Sequence, residues 1–383
     1  MRIYNVREGD SVLSVAEAFG VSPIKLAANN GLSLNSRLIP GEELLILIPN
    51  RTANVRYGES LSDMARRFDT TENRLLALNP DLGGRCGVYE GQPLTVRAGV
   101  GSYGIGIGNG YYYRGCSEDR LLLALPYMSY ITVCCGIVRR GVGMLFDDRD
   151  VLKLAGAYGR IPLFRLFVGD VGDKSSFLDI IKGLAILAGG RGYSGVVLAG
   201  IRAPLGVLPE WIVEARKILI ECDLKLYLEG DIEALGGEVG YADGAILHYD
   251  KLGEGEIPTL DEGEVRVYTE YAEGQDSLRS FVDLSPFAYT GGKYVTSTEA
   301  REAIAKGRGQ IRESVECGYI IGEVGRGRRA RLYMYRSMKG TERILRAVSE
   351  LGYYGISFDI ARCPIYDLVM FADMFSESKL KFY

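Results

Sequence analysis

Five acidic residues in the C-terminal two-thirds of the chain fall at the ends of predicted strands: Asp170, Glu229, Asp250, Glu270 and Asp359. If the strands run parallel, these ends share one mouth, where two carboxyls about 5–10 Å apart across an open cleft serve as acid and base for cleaving a glycosidic bond. The same cluster also suits a polar pocket or a cation site. The only histidine, His248, precedes Tyr249 and Asp250 at one of these ends, and reads either as a mouth residue or as a hydrogen-bonded structural one. The seven cysteines are scattered and never spaced as C-x-x-C, so they read as reduced core residues and no metal site is assigned. Cys134 and Cys135 are neighbours on a predicted strand and must point to opposite faces. A formal G-x-G-x-x-G at Gly99, Gly101 and Gly104 lacks the following helix that a dinucleotide site needs, and no cofactor is expected.

The elements that position these residues form a repeating pattern. Short apolar runs at 111–113, 130–135, 162–167, 195–198, 225–228, 245–249, 265–268 and 355–358 alternate with amphipathic stretches. Phe177, Ile181 and Leu184 make one apolar stripe, and Ile344, Val348 and Leu351 another. Eight such units predict an α/β fold, a (β/α)8 TIM barrel over 110–383 whose strand ends face one mouth. Residues 290–340 are too many for one crossover helix and predict an α+β insertion before strand eight. Its tip carries Arg326, Arg328, Arg329 and Arg331, read as a solvated turn or as a contact for an anionic partner.

The front of the chain repeats itself. Residues 1–48 read strand, Gly9-Asp10-Ser11 turn, two helices and a returning strand; residues 51–97 repeat this with Gly58-Glu59-Ser60. Each copy predicts a small βααβ domain, and the glycine-rich 98–109 reads as a flexible linker. The turn, the Ala and Phe of the first helix and the Asn closing the second resemble the LysM module in both copies. That resemblance implies binding of N-acetylglucosamine polymers such as peptidoglycan and chitin in a groove between the first turn and the loop after the second helix. The groove would use Gly9, Asp10, Ser11, Asn29, Asn30, Gly31 and Leu32 in the first copy, and Gly58, Glu59, Ser60, Asn79, Pro80 and Asp81 in the second. Ser11 and Ser60 are also good helix N-caps, a role compatible with the first. Two linked weak modules gain about 10²–10⁴ in avidity on a polymer that both can reach.

The element order, together with Leu125-Pro126-Tyr127-Met128-Ser129-Tyr130-Ile131, Gly192-Tyr193-Ser194-Gly195-Val196 and Gly355-Ile356-Ser357-Phe358, resembles glycoside hydrolase family 18. More narrowly it resembles that family's spore-associated N-acetylglucosaminidases, in which two LysM modules precede the barrel. The family cleaves with substrate assistance and carries D-G-x-D-x-D-x-E on strand four. Here Ser194, Val197, Ala199 and Ile201 stand where the four carboxylates belong, with Ile201 at the acid position and Ala199 at that of its partner Asp. An isoleucine donates no proton, so the family route is closed and the barrel reads as a pseudoenzyme. The family pocket maps onto Tyr111, Asp170, Glu229, His248, Tyr249, Asp250, Glu270, Phe358 and Asp359. The alternative is a glycoside hydrolase with a rebuilt site, for which Asp250, Glu270 and Asp359 are the candidates.

Composition narrows the partners. A chain of 383 residues with net charge −4 has no broad basic field, which excludes nucleic acid as an expected partner. No run of about 18 apolar residues predicts a membrane span. The start lacks an apolar signal segment, so the expectation is synthesis in the cytoplasm. The resemblance adds deposition on the spore or cell wall, with spore coat or cortex proteins as further partners.

Overall fold

The computed structural model describes residues 1–99, 103–138, 141–204, 206–231, 235–248, 279–284, 287–291, 293–314 and 318–377. Both front copies fold as predicted. The first has strands Arg2–Asn5 and Glu43–Ile46 in an antiparallel pair, with helices Val12–Phe19 and Pro23–Asn29 between them. The second has strands Pro49–Asn54 and Pro93–Ala98 and helices Leu61–Arg67 and Glu72–Ala77. Ser11 and Ser60 each accept a hydrogen bond from the amide three residues on, closing a capping box and satisfying an otherwise orphaned donor. Each copy has its own small core, Val12, Val15, Leu26 and Leu44 in the first and Leu61, Met64, Leu75 and Leu94 in the second.

Eight parallel strands close the barrel, in the order Gly108–Tyr112, Tyr130–Val138, Ile161–Asp170, Gly195–Arg202, Lys225–Asp231, Gly244–His248, Ser280–Leu284 and Gly355–Asp359. The seventh strand corrects the expectation: it is Ser280–Leu284, paired with Gly244–His248 on one side and Gly355–Asp359 on the other, while 265–268 lies outside the described residues. Alternation along each strand sorts side chains between two layers. Tyr111, Leu163, Val197, Ile246 and Phe281 fill the interior, while Phe164, Leu198, Leu228, Val282 and Phe358 face the surrounding helices. Cys134 lies in the inner layer and Cys135 in the outer, the opposite faces expected of neighbours.

The insertion between strands seven and eight is a five-stranded antiparallel sheet carrying the helix Ser297–Lys306. Its hairpin Tyr319–Val324 and Arg331–Arg336 holds the arginine-bearing turn, as predicted. The front copies are seated on this body rather than tethered to it. Leu45, Leu47, Ala77 and Leu78 belong to the same buried cluster as the helix-side layer of the barrel. Tyr127 donates to the Ala77 carbonyl at 3.0 Å, Asn73 to that of Tyr158 at 3.1 Å, and Arg74 to that of Ala372. The expected flexible linker is therefore corrected over its described part. Ile105–Gly106 pairs with Ser376–Glu377, and a side chain at Gly106 would collide with Phe375 and Phe371.

Candidate functional site

The C-terminal ends of the barrel strands bring together four charged side chains. Arg165 on strand three donates two hydrogen bonds, at 2.5 and 2.7 Å, to the carboxylate of Glu229 on strand five. The other face of the network is His248 on strand six, with Nε2 3.0 Å from Glu229 Oε1 and Nδ1 2.9 Å from Oδ2 of Asp283 on strand seven. The imidazole thus fills the gap between two carboxylates. Burial alone would push His248 toward the neutral form, but charge and hydrogen bonds from Asp283 and Glu229 outweigh it and raise its pKa to about 10. Burial likewise opposes ionisation of Glu229, and the His248 and Arg165 contacts overcome it, holding the carboxyl at about 2. At neutral pH Glu229 is therefore ionised and His248 carries its second proton.

Around it, Tyr111 stacks on Tyr113 and on the His248 ring, with centroids 5.9 and 6.2 Å apart. Asp359, at the end of strand eight, is buried, which raises its carboxyl, and it is opposed by Arg362, 3.1 Å away. Below the network, Asn109 donates to Ser357 at 2.9 Å and accepts from Thr132 at 2.8 Å, a fully buried polar chain linking strands one, two and eight.

The sequence-selected residues separate on this frame. Tyr111, Glu229, His248 and Asp359 meet at the mouth. Phe358 does not: it faces outward and packs edge-on against Phe371, with centroids 5.5 Å apart. Asp170 is exposed and pairs with Arg202 at 2.7 Å, outside the network. Tyr249, Asp250 and Glu270 lie outside the described residues. On strand four, Val197 faces the interior, but the chain turns at Gly200, whose φ is 61°, and Ile201 packs against the helix-side layer. A Cβ on Gly200 would overlap the ring of Phe167, a mouth aromatic that is 53% exposed. Sequence reasoning missed Arg165 and Asp283. Their signal was a charge inside an otherwise apolar strand, Leu163-Phe164-Arg165-Leu166 and Phe281-Val282-Asp283-Leu284, which is costly to bury without a partner.

In the front copies, several expected groove residues make contacts that hold the fold. Asn79 donates to the Leu75 and Thr95 carbonyls and accepts from the Thr95 amide. Asn30 does the same with Leu26 and Leu45. Both side-chain amides bond to backbone, tying the second helix to the returning strand, and the Asn79 oxygen also accepts from Lys25 of the first copy. Asn29 and Pro80 are buried, and Leu32 packs on its own module's core. Asp10 and Glu59 accept from the amides of Arg7 and Arg56 at 2.8 Å and so close the first turn. Asp81 pairs with Lys25 of the first copy at 3.4 Å. Gly31 lies against Ile365 of the barrel, while Gly9 and Gly58 open to solvent.

Residues 4–47 and 54–97 match the LysM domain family. The N-acetylmuramoyl-L-alanine amidase sle1 of Staphylococcus epidermidis RP62A is 32% identical over 112 residues, 25% of this chain and 34% of that protein. The chain therefore spans about a third of the length of the curated relatives it matches. Among solved structures, the spore cortex-lytic enzyme SleL of Bacillus cereus superposes over 99% of this chain and 100% of its own, with TM-score 0.75 and 16% identity. A chitinase from Chromobacterium violaceum covers 71% of this chain and 100% of its own, with TM-score 0.62 and 12% identity. The chain carries two LysM domains and shares the architecture of these enzymes, domains and barrel together in the first case and the barrel alone in the second.

Proposed function

We propose that this chain binds N-acetylglucosamine polymers, peptidoglycan foremost, and that its barrel is a non-catalytic scaffold of glycoside hydrolase family 18 ancestry working at a cell wall or spore surface, with coat or cortex proteins as neighbours. The two LysM domains support the binding half, as do relatives named for an amidase and a cortex-lytic enzyme. The observation that carries the scaffold half is His248. It occupies the space between Glu229 and Asp283 that a scissile oxygen would need, pairs with both carboxylates and holds Glu229 ionised. Ala199 and Ile201 on strand four supply no acid in their place. Among the described residues no helix is long and apolar enough to cross a membrane.

The second reading, a hydrolase with a rebuilt site, draws on Asp359, whose carboxyl is raised by burial at the same mouth, together with Asp250 and Glu270. The two readings separate on one preparation: pull-down of the purified chain on insoluble peptidoglycan, beside turnover of muropeptides and chitooligosaccharides. Retention without turnover is the expected result. Turnover that disappears in Asp359→Asn or in the Asp250→Asn, Glu270→Gln double variant would replace the scaffold reading with the enzyme.

A further inference from the structure

The two LysM domains are built alike, and aligning them residue by residue shows where they differ. The Ile39 amide donates to Glu42 at 2.8 Å as the Tyr89 amide donates to Gln92 at 3.1 Å, so Ile39 corresponds to Tyr89 and Glu42 to Gln92. The Gly41 amide donates to the Val6 carbonyl as the Gly91 amide does to that of Val55. Glu8 in the first turn corresponds to Tyr57 in the second.

At Ile39, Gly41 and Glu42 the insertion covers the first domain where the second is open at Tyr89 and Gly91, while Glu8 is exposed like Tyr57 but offers no ring. Ile39 is 2% exposed and sits in the insertion's core with Ala300, Ile304, Ile320 and Tyr333, whereas Tyr89 is 68% exposed. A Cβ on Gly41 would touch the Ile311 backbone of the insertion, while one on Gly91 would meet open space. Glu42 is buried and held by Arg301 of the insertion at 2.8 and 3.1 Å. Its neighbour Glu43 accepts from the Met338 amide at 2.5 Å. Tyr57 is 88% exposed. The backbone bonds from Val55 to Gly91 and Gln92 hold the two tyrosine-bearing loops side by side.

We infer that the two domains have divided their work: the second takes a β-linked N-acetylhexosamine strand between Tyr57 and Tyr89, and the first is the joint that fixes the insertion to the barrel. This rests on the glycan-binding reading above. Tyrosine suits the role because its ring covers the C–H face of a sugar while its hydroxyl stays available to the acetamido and hydroxyl groups. An exposed pair on adjacent loops has no packing reason to be aromatic. A cleft of about 990 Å³ runs between the first domain, the insertion and the loop after strand eight, and the loop 30–32 lines it.

The test compares two double variants of the full chain, Tyr57→Ala with Tyr89→Ala and, in the first domain, Glu8→Ala with Leu34→Ala, the latter an exposed apolar side chain on the loop after helix Pro23–Asn29 that stands in for the covered Ile39; both are read by retention on insoluble peptidoglycan and by calorimetric titration with N-acetylglucosamine hexamer. The tyrosine pair is expected to lose about tenfold or more in affinity with an unchanged melting temperature, since both side chains are exposed. The first-domain pair is expected to stay within about twofold, and the wild-type stoichiometry to be one hexamer per chain. Ile39→Ala is expected to lower the melting temperature while leaving retention intact below it. Equal losses from both double variants, or two hexamers per chain, would overturn the division of work while leaving glycan binding standing. A wild-type chain that binds neither probe would remove the glycan-binding reading and this inference with it.

Discussion

The ion network at the barrel mouth predicts an unusual alkaline weakness. His248 has a folded pKa of about 10, above its unfolded value near 6.5, so its stabilising effect is complete below pH 6.5 and is lost as the pH rises toward 10. Glu229, held at about 2, works the other way: its contribution is present above its ordinary value of 4.5 and is lost only as the pH falls toward 2. The two together give a plateau between about pH 4.5 and 6.5. Between pH 7 and 9 the folded state keeps one proton that the unfolded state releases, which costs at most about 2.7 kcal/mol. The His248 side chain is 31% exposed, and solvent screening reduces the expected loss to about 1–2 kcal/mol. For a chain of this length that is roughly 1–3 °C in melting temperature. The assay is thermal and urea unfolding at pH 7 and 9 of the wild type beside His248→Gln. Buried thiols such as Cys134, which burial raises, push in the same direction above pH 9, and the variant comparison subtracts them. The wild type should lose stability over this interval and the variant should not. An equal slope in both would refute the claim that His248 stays protonated between Glu229 and Asp283.

Two further outcomes follow from described contacts. Glu229→Gln leaves Arg165 and His248 without their shared counter-charge in a buried site and should destabilise the chain by about 3–5 kcal/mol, read from the urea midpoint; a change under 1 kcal/mol would mean the network is solvent-screened. Gly84→Ala places a Cβ 1.9 Å from the Leu122 carbonyl oxygen at a φ of 75°, so the second LysM domain must lift from the barrel helix Glu118–Ala124. The expected cost is about 1–3 kcal/mol, with faster proteolysis near residue 84.

Much of the fold was legible because its signals are periodic. The repeat, the alternating runs and the hairpin at Tyr319–Val324 and Arg331–Arg336 each impose a spacing on several residues at once. The seventh strand was misplaced because 265–268 carries as good an apolar run as Ser280–Leu284, whose inner face holds Asp283. Glu229 and His248 were found from strand ends, but Arg165 was passed over as an interruption in an apolar run, when it was the partner that makes Glu229 tolerable there. Asn30 and Asn79 were named from the resemblance alone, and nothing in the letters announced the backbone bonds their side chains make between helix and strand. Ile39 gave no sign of its role, since one apolar residue in a loop has no period to betray the surface it meets.

The seating of the front domains also sets an order of events during synthesis. Each LysM domain has a core of its own and can fold as soon as it leaves the ribosome, yet part of its anchoring comes last: Arg74 waits for Ala372 and Gly31 for Ile365, and the strand after the second domain, Ile105–Gly106, waits for Ser376–Glu377. Until those residues emerge, the cover over Leu45, Leu47, Ala77 and Leu78 is incomplete, although Tyr127 already reaches Ala77. The nascent chain therefore carries two finished domains whose undersides stay partly bare through most of its translation, and the closing of the barrel is the step that completes their cover.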